Sequence, residues 1–147
     1  MQPTGHDRPK VPSKSQSPSV PQSLSITSWE LWPLSYFFHQ HVLIVHRSPC
    51  GGHLAFLPEL YREKGSEPCL KHAVLSVAYL ALFNSNRSHS LLIQARNNYS
   101  TALMALAASL NTLESAARDE VFAASLFLSM FIVSSFYQMS VHHSKVN

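Results

Sequence analysis

The chain has 147 residues, of which 46% are hydrophobic and only 13% charged, against roughly 25% charged in an ordinary soluble domain. That length allows one modest domain and a tail, and so little charge means that the chain buries most of itself or keeps an apolar face for a partner or a membrane. The formal net charge of +3 comes from eleven scattered Lys and Arg against eight Asp and Glu, with no basic stripe of the kind direct nucleic-acid binding needs.

Residues 1–27 hold five prolines and six serines among few apolar groups. Such a segment cannot offset the entropy of ordering, so it is expected to be a disordered Pro/Ser-rich leader or linker. It contains no apolar run and is not a secretory signal. The composition changes at Ser28-Trp29-Glu30, and from Trp29 to His46 aromatic and apolar residues dominate. This stretch predicts a helix with Ser28 as N-cap and with Pro33 tolerated only near the first turn. Its β-branched end, Val42–Val45, would equally suit an extended strand. Arg47 to His53, with Pro49, Gly51 and Gly52, reads as a loop, and Leu54 to Tyr61 as a short helical turn around Pro58.

Ser66-Glu67-Pro68 predicts a helix start: a capping serine, an acidic first turn, and proline where its missing N–H costs nothing. Leu70, Ala73, Val74, Val77, Ala78 and Ala81 follow at helical spacing. Leu75, Tyr79, Leu80 and Leu82 fill much of the remaining circumference, so this helix should be buried on most sides, ending at Asn84-Ser85-Asn86. A third helix is expected from about Ser90 to Leu110. Leu92, Ala95, Tyr99, Ala102, Leu103, Leu106 and Leu110 form its apolar stripe, with Gln94, Asn97, Asn98 and Thr101 mainly elsewhere. After a link, Asn111–Ala117, the charges of Asp119 and Glu120 favour the start of a fourth helix running from Val121 to about Met139. Short links predict antiparallel neighbours. The expected fold class is therefore all-α with a shared apolar core, an ordered domain at 28–139 and a C-terminal tail at 140–147.

Catalytic, cofactor and metal sites are not expected. Cys50 and Cys69 cannot build a disulfide framework or a full zinc site by themselves and read as reduced cysteines, Cys50-Gly51-Gly52-His53 being a loop. His39 and His41, two apart, lie on different faces of a helix, and His142 and His143 fall in the tail, whereas a metal site needs three or four converging ligands. No nucleophile elbow, P-loop or dinucleotide fingerprint occurs. Glu59/Glu63 and Asp119/Glu120 read as solvated helix faces or first-turn charges. The sequons Asn86-Arg87-Ser88 and Asn98-Tyr99-Ser100 read as chance matches in a chain with no signal peptide. From Val121 to Ser144 there is no charged side chain, long enough to cross a bilayer. The strongly apolar part stops near Val133, and a run of about 13 residues suits a buried core helix better than a spanning one. A tail anchor near 121–137 is the alternative reading.

Several of these segments resemble a known family. Phe56-Leu57-Pro58-Glu59-Leu60-Tyr61 followed by Glu67-Pro68-Cys69-Leu70-Lys71-His72-Ala73-Val74-Leu75-Ser76-Val77-Ala78 is similar to the start of the regulatory domain of fungal zinc-cluster transcription factors. Ala95-Arg96-Asn97-Asn98-Tyr99-Ser100-Thr101-Ala102-Leu103 resembles that family's "Ala-x-x-x-Tyr-x-x-Ala-Leu" helix. Asp119-Glu120-Val121-Phe122-Ala123-Ala124-Ser125-Leu126-Phe127-Leu128-Ser129 resembles its "Asp-x-x-Leu-x-x-x-x-Leu-Leu-Ser" helix.

The resemblance covers about residues 29–133 and implies an all-α regulatory domain acting in the nucleus. In the family this domain follows a six-cysteine, two-zinc DNA-binding module and continues through further helices. Neither feature is matched here, so the resemblance implies the N-terminal part of the domain, an incomplete antiparallel bundle without the zinc cluster. Transcription regulation through helix-mediated protein contacts or self-association is then expected, with no direct DNA binding. The residues expected to carry the packing are Leu70, Val74, Val77, Tyr99, Leu103, Leu106, Phe127 and Phe131. Apolar surface left exposed by an incomplete bundle should make the chain dependent on partners or prone to aggregate.

Overall fold

The structure, a computed structural model, describes residues 28–43 and 52–143, the side chains of Ser28, Leu43 and 138–143 excepted. The leader at 1–27, Cys50 and the end of the tail, 144–147, lie outside the described residues. Among those described the fold is all-α: α1 (Ser28–Phe37), a π-helical segment (Phe38–Leu43), α2 (Leu57–Lys64), α3 (Pro68–Asn86), α4 (His89–Ser109), α5 (Leu113–Ala116) and α6 (Asp119–His143).

Helix α3 is the axis around which the others pack. Cys69, Leu70, all of residues 73–80 and Leu82 are buried, so it is covered nearly all round, as its composition requires. It opens on Pro68, but the residue at its cap is Glu67, extended at φ −65° and ψ 125°, with no side-chain hydrogen bond. Ser66 is one position too early, because proline pushes the residue before it out of the helical region and so fixes the boundary at Glu67. At the other end Arg87 takes a left-handed conformation, φ 56° and ψ 22°, and its N–H donates to the Phe83 carbonyl at 2.7 Å. Two residues later α4 begins, folded back antiparallel along α3.

On α4 the buried positions are Ala95, Asn98 and Ala102. Small residues three and four apart let two helix backbones approach closely. This stripe is rotated from the expected one: Leu103 is 42% and Leu110 53% exposed, while Asn98 is buried. Asn98 holds that place because its amide is satisfied, Oδ1 pairing with His72 Nδ1 of α3 at 2.8 Å and Nδ2 donating to the Gln94 carbonyl at 2.9 Å. The expected link 111–117 contains the single turn α5, capped by Thr112, whose hydroxyl accepts the Ser115 N–H at 3.2 Å.

Helix α6 starts two residues before Val121 and runs past Met139 to His143. Val121, Ala123, Ala124, Phe127, Leu128 and Phe131 enter the core shared with α3 and α4. Phe131 stacks on Tyr99 with ring centroids 4.5 Å apart and planes 20° from parallel. Helix α1 closes the core from a further side, Phe37 meeting Phe127 edge-on at 6.1 Å.

The expected single helix over 29–46 is instead α1 followed by the π-helical segment. Phe37 and Val42, five apart, would lie about 140° apart on an α-helix, yet both are buried. Widening the turn by one residue swings Val42 onto the core side. Pro33 sits in the body of α1, fully buried, rather than at its first turn. Finally, α2 runs from Leu57 to Lys64, later by three residues than the turn expected over Leu54 to Tyr61.

Candidate interaction surface

Helix α6 has two apolar faces and the bundle covers one of them. Opposite its core residues stand Phe122, Leu126, Ser129, Val133 and Phe136, all exposed and spaced 4, 3, 4 and 3 residues apart. At about 100° per residue these five fall within a single stripe of the helix. Ile132 and Tyr137 flank the stripe and are exposed too. Its serine is satisfied within the helix: Ser129 Oγ donates to the Ser125 carbonyl at 2.9 Å, and beside it Ser125 Oγ donates to the Val121 carbonyl at 3.0 Å. Near its N-terminal end the stripe borders a groove of about 410 Å³ against α2, floored by Phe56, Leu60, Phe122 and Leu126 and edged by Glu59, Glu63 and Asp119.

A second cavity, about 420 Å³, lies between α1, α3 and α6, with Tyr36, His41, Asn84 and Ser134 among its walls. Burial holds the His41 imidazole below its ordinary range. A further apolar patch, Trp29, Leu31 and Trp32 on α1, is also exposed.

Among the described residues two carboxylates are buried. Glu30 is buried on α1 and pairs with Lys71 of α3 at 3.2 Å. Burial, followed by the charge of Glu30, pushes both Tyr61 and Tyr79 up to about 12. Glu120 is only 3% exposed and pairs with Arg118 at 3.2 Å. Asp119 and Glu120 both stand in the first turn of α6 as expected, Asp119 exposed and Glu120 buried. Glu59 and Glu63 are exposed beside Arg62, at 3.6 and 3.8 Å. Among the described residues no group of three or more His, Cys, Asp or Glu converges as a metal site would require. His39 and His41 lie on the π-helical segment; His39 is exposed, and His41 is exposed along part of its length while its ring is partly buried beside Phe37, centroids 5.3 Å apart. Of the two sequons, Asn86 is exposed at the end of α3, and Asn98 is buried and engaged with His72.

Of the residues expected to carry the packing, Leu70, Val74, Val77, Phe127 and Phe131 are buried, Tyr99 and Leu106 are half-buried against them, and Leu103 is exposed. The exposed apolar stripe of α6 is not legible in the sequence because the helix is apolar all round. A hydropathy pattern with no polar side does not say which side the core takes. The 4-3-4-3 spacing was the available signal. Helix α6 is also, among the described residues, the one helix long and apolar enough to span a membrane, over Asp119–Tyr137 at a mean hydropathy of 1.6. Its packing against α3 and α4 accounts for the apolar residues of one face without a bilayer, and the anchor reading gains no support.

An all-α bundle with one helix face left open defines a helical packing module. This chain matches the fungal specific transcription factor domain over residues 33–144 and belongs to that family. No curated protein and no solved structure matches it.

Proposed function

We propose that this domain acts in transcription regulation in the nucleus through helix-mediated protein contacts made by the exposed face of α6. Family membership supports the regulatory role. The observation that carries the finer reading is the stripe Phe122, Leu126, Ser129, Val133 and Phe136: apolar, satisfied in its hydrogen bonds, and open. Exposed apolar surface of this extent on a folded domain marks an interaction site. Contact with DNA is not part of the proposal, because the cationic side chains are scattered.

A reporter assay tests it. The full chain is joined to a heterologous DNA-binding module and reporter output is read in fungal cells. Tethering should change the output, and Phe122→Ser with Val133→Ser should abolish the change while leaving the helical circular dichroism intact. Output indifferent to tethering, or unaffected by the two substitutions, would refute the reading.

A further inference from the structure

Resting on that reading, we infer that the partner of the α6 face is a second copy of this chain, the two α6 helices packing antiparallel across a twofold axis near Ser129. The exposed stripe is self-complementary about that residue. In an antiparallel pair Phe122 meets the partner copy's Phe136, Leu126 meets Val133, and the small Ser129 meets itself. Large side chains thus face large ones at the ends, and the closest approach falls where the side chain is smallest. A closed twofold contact requires one patch to fit itself in this way. The 4-3 spacing suits the shallow crossing angle of paired helices.

Area, polarity and charge agree. Phe122, Phe136 and Tyr137 are 76%, 68% and 70% exposed, and with aromatic side chains burying about 150–250 Å² each they offer on the order of 400 Å² per copy. Leu126, Val133 and Ile132 carry the face toward the roughly 800 Å² per partner of a standard interface. Covering Ser125 and Ser129 strands no polar hydrogen, since both hydroxyls already donate to carbonyls one turn back. No charged side chain lies between Val121 and Ser144. The direction follows from the ends: a parallel pair would bring the two exposed Asp119 carboxylates together and align the helix dipoles. An antiparallel pair keeps the carboxylates a helix length apart and opposes the dipoles. The α1 patch supports no such argument, because it borders residues outside those described.

Sedimentation equilibrium of the purified full chain, carrying Cys50→Ser, tests the stoichiometry, and cysteine pairing tests the direction. The chain should sediment as a dimer at micromolar concentration. Val133→Glu should weaken association at least about 30-fold, with the helical signal unchanged. Under mild oxidation Ser129→Cys should cross-link to itself, and Leu126→Cys should cross-link to Val133→Cys but not to itself. A monomer at tens of micromolar, or a continuous series of larger species unaffected by Val133→Glu, would overturn the proposal. So would Leu126→Cys self-cross-linking as readily as Ser129→Cys. A monomer that floats with phosphatidylcholine vesicles would overturn it in favour of a membrane. If the chain is monomeric while Val133→Ser still abolishes the reporter effect, the face serves a different protein. In that case the self-pairing fails and the broader reading stands.

Discussion

Tyr79 brings its hydroxyl into the core without a hydrogen-bond partner. A buried unsatisfied hydroxyl costs about 1–3 kcal/mol, so Tyr79→Phe should stabilise the fold by about 1 kcal/mol, read as a higher melting temperature. A lower one would show that the hydroxyl is satisfied in solution. The same residue sets a pH dependence. Tyr79 and Tyr61 ordinarily titrate at 10.0 and are pushed up to about 12 in the fold. Below pH 10 both states keep the protons and stability is flat. Between 10 and about 12 the unfolded chain sheds them first, so stability falls as pH rises, with a limiting slope of about 1.4 kcal/mol per pH unit per tyrosine. Tyr79→Phe should make that decline shallower, and a slope identical in both proteins would count against the assignment. Lys71 offers a third test, since it compensates the buried Glu30 carboxylate. Lys71→Met should cost about 3 kcal/mol in chemical denaturation, and adding Glu30→Gln should recover much of it. Glu30 and Glu120 could not be recognised as buried from the sequence: each depends on a cation that the fold supplies, and only the position of Lys71 or Arg118 makes burial affordable.

At the scale of elements, α3 was the most legible, because a proline start and a continuous apolar pattern leave few alternatives. The register of α4 was less so. Counting Leu103 and Leu110 into its stripe follows from hydropathy, but the packed face is chosen by small residues and by the His72–Asn98 hydrogen bond, which links side chains 26 residues apart. The π-helical turn after Phe37 was invisible, since local propensity carries no term for placing Val42 against a distant core. The connection between α3 and α4 yields a prediction of its own. Arg87 is the one non-glycine residue with positive φ among those described, a conformation costing roughly 1–2 kcal/mol for a residue with a Cβ. Its guanidinium lies over the Phe83 ring at 5.8 Å, which returns about 0.5–1 kcal/mol. Arg87→Gly relieves that backbone cost but also removes the ring contact and the arginine's other interactions. Stability in urea denaturation should therefore change by no more than about 1 kcal/mol in either direction. A loss of more than that would mean the arginine does more than cap.

For the whole molecule, the all-α class and the family were legible before any coordinates, because motif order and helical spacing are carried locally by the chain. The direction in which the bundle is left open was not. Whether Val121 or Phe122 faces inward depends on where α3 and α4 lie, and the sequence of α6 treats both sides alike. An open apolar face also sets how the molecule should respond to its solvent. Sulfate, which is excluded from protein surface, should strengthen association through α6, and moderate urea should weaken it before the helical signal is lost. Sedimentation along each series checks this, and association insensitive to both would argue that apolar burial does not drive it.

Cys69, buried at the start of α3 with its thiol pushed up chiefly by that burial and held beside the Ser109 hydroxyl at the far end of α4, gives the fold a clock. A closed bundle hides the sulfur from an alkylating reagent, so in a Cys50→Ser chain every labelling event records a moment when these two helix ends part. While labelling scales with reagent concentration, it reports how often the bundle stands open. Once it saturates, it reports how fast the bundle opens.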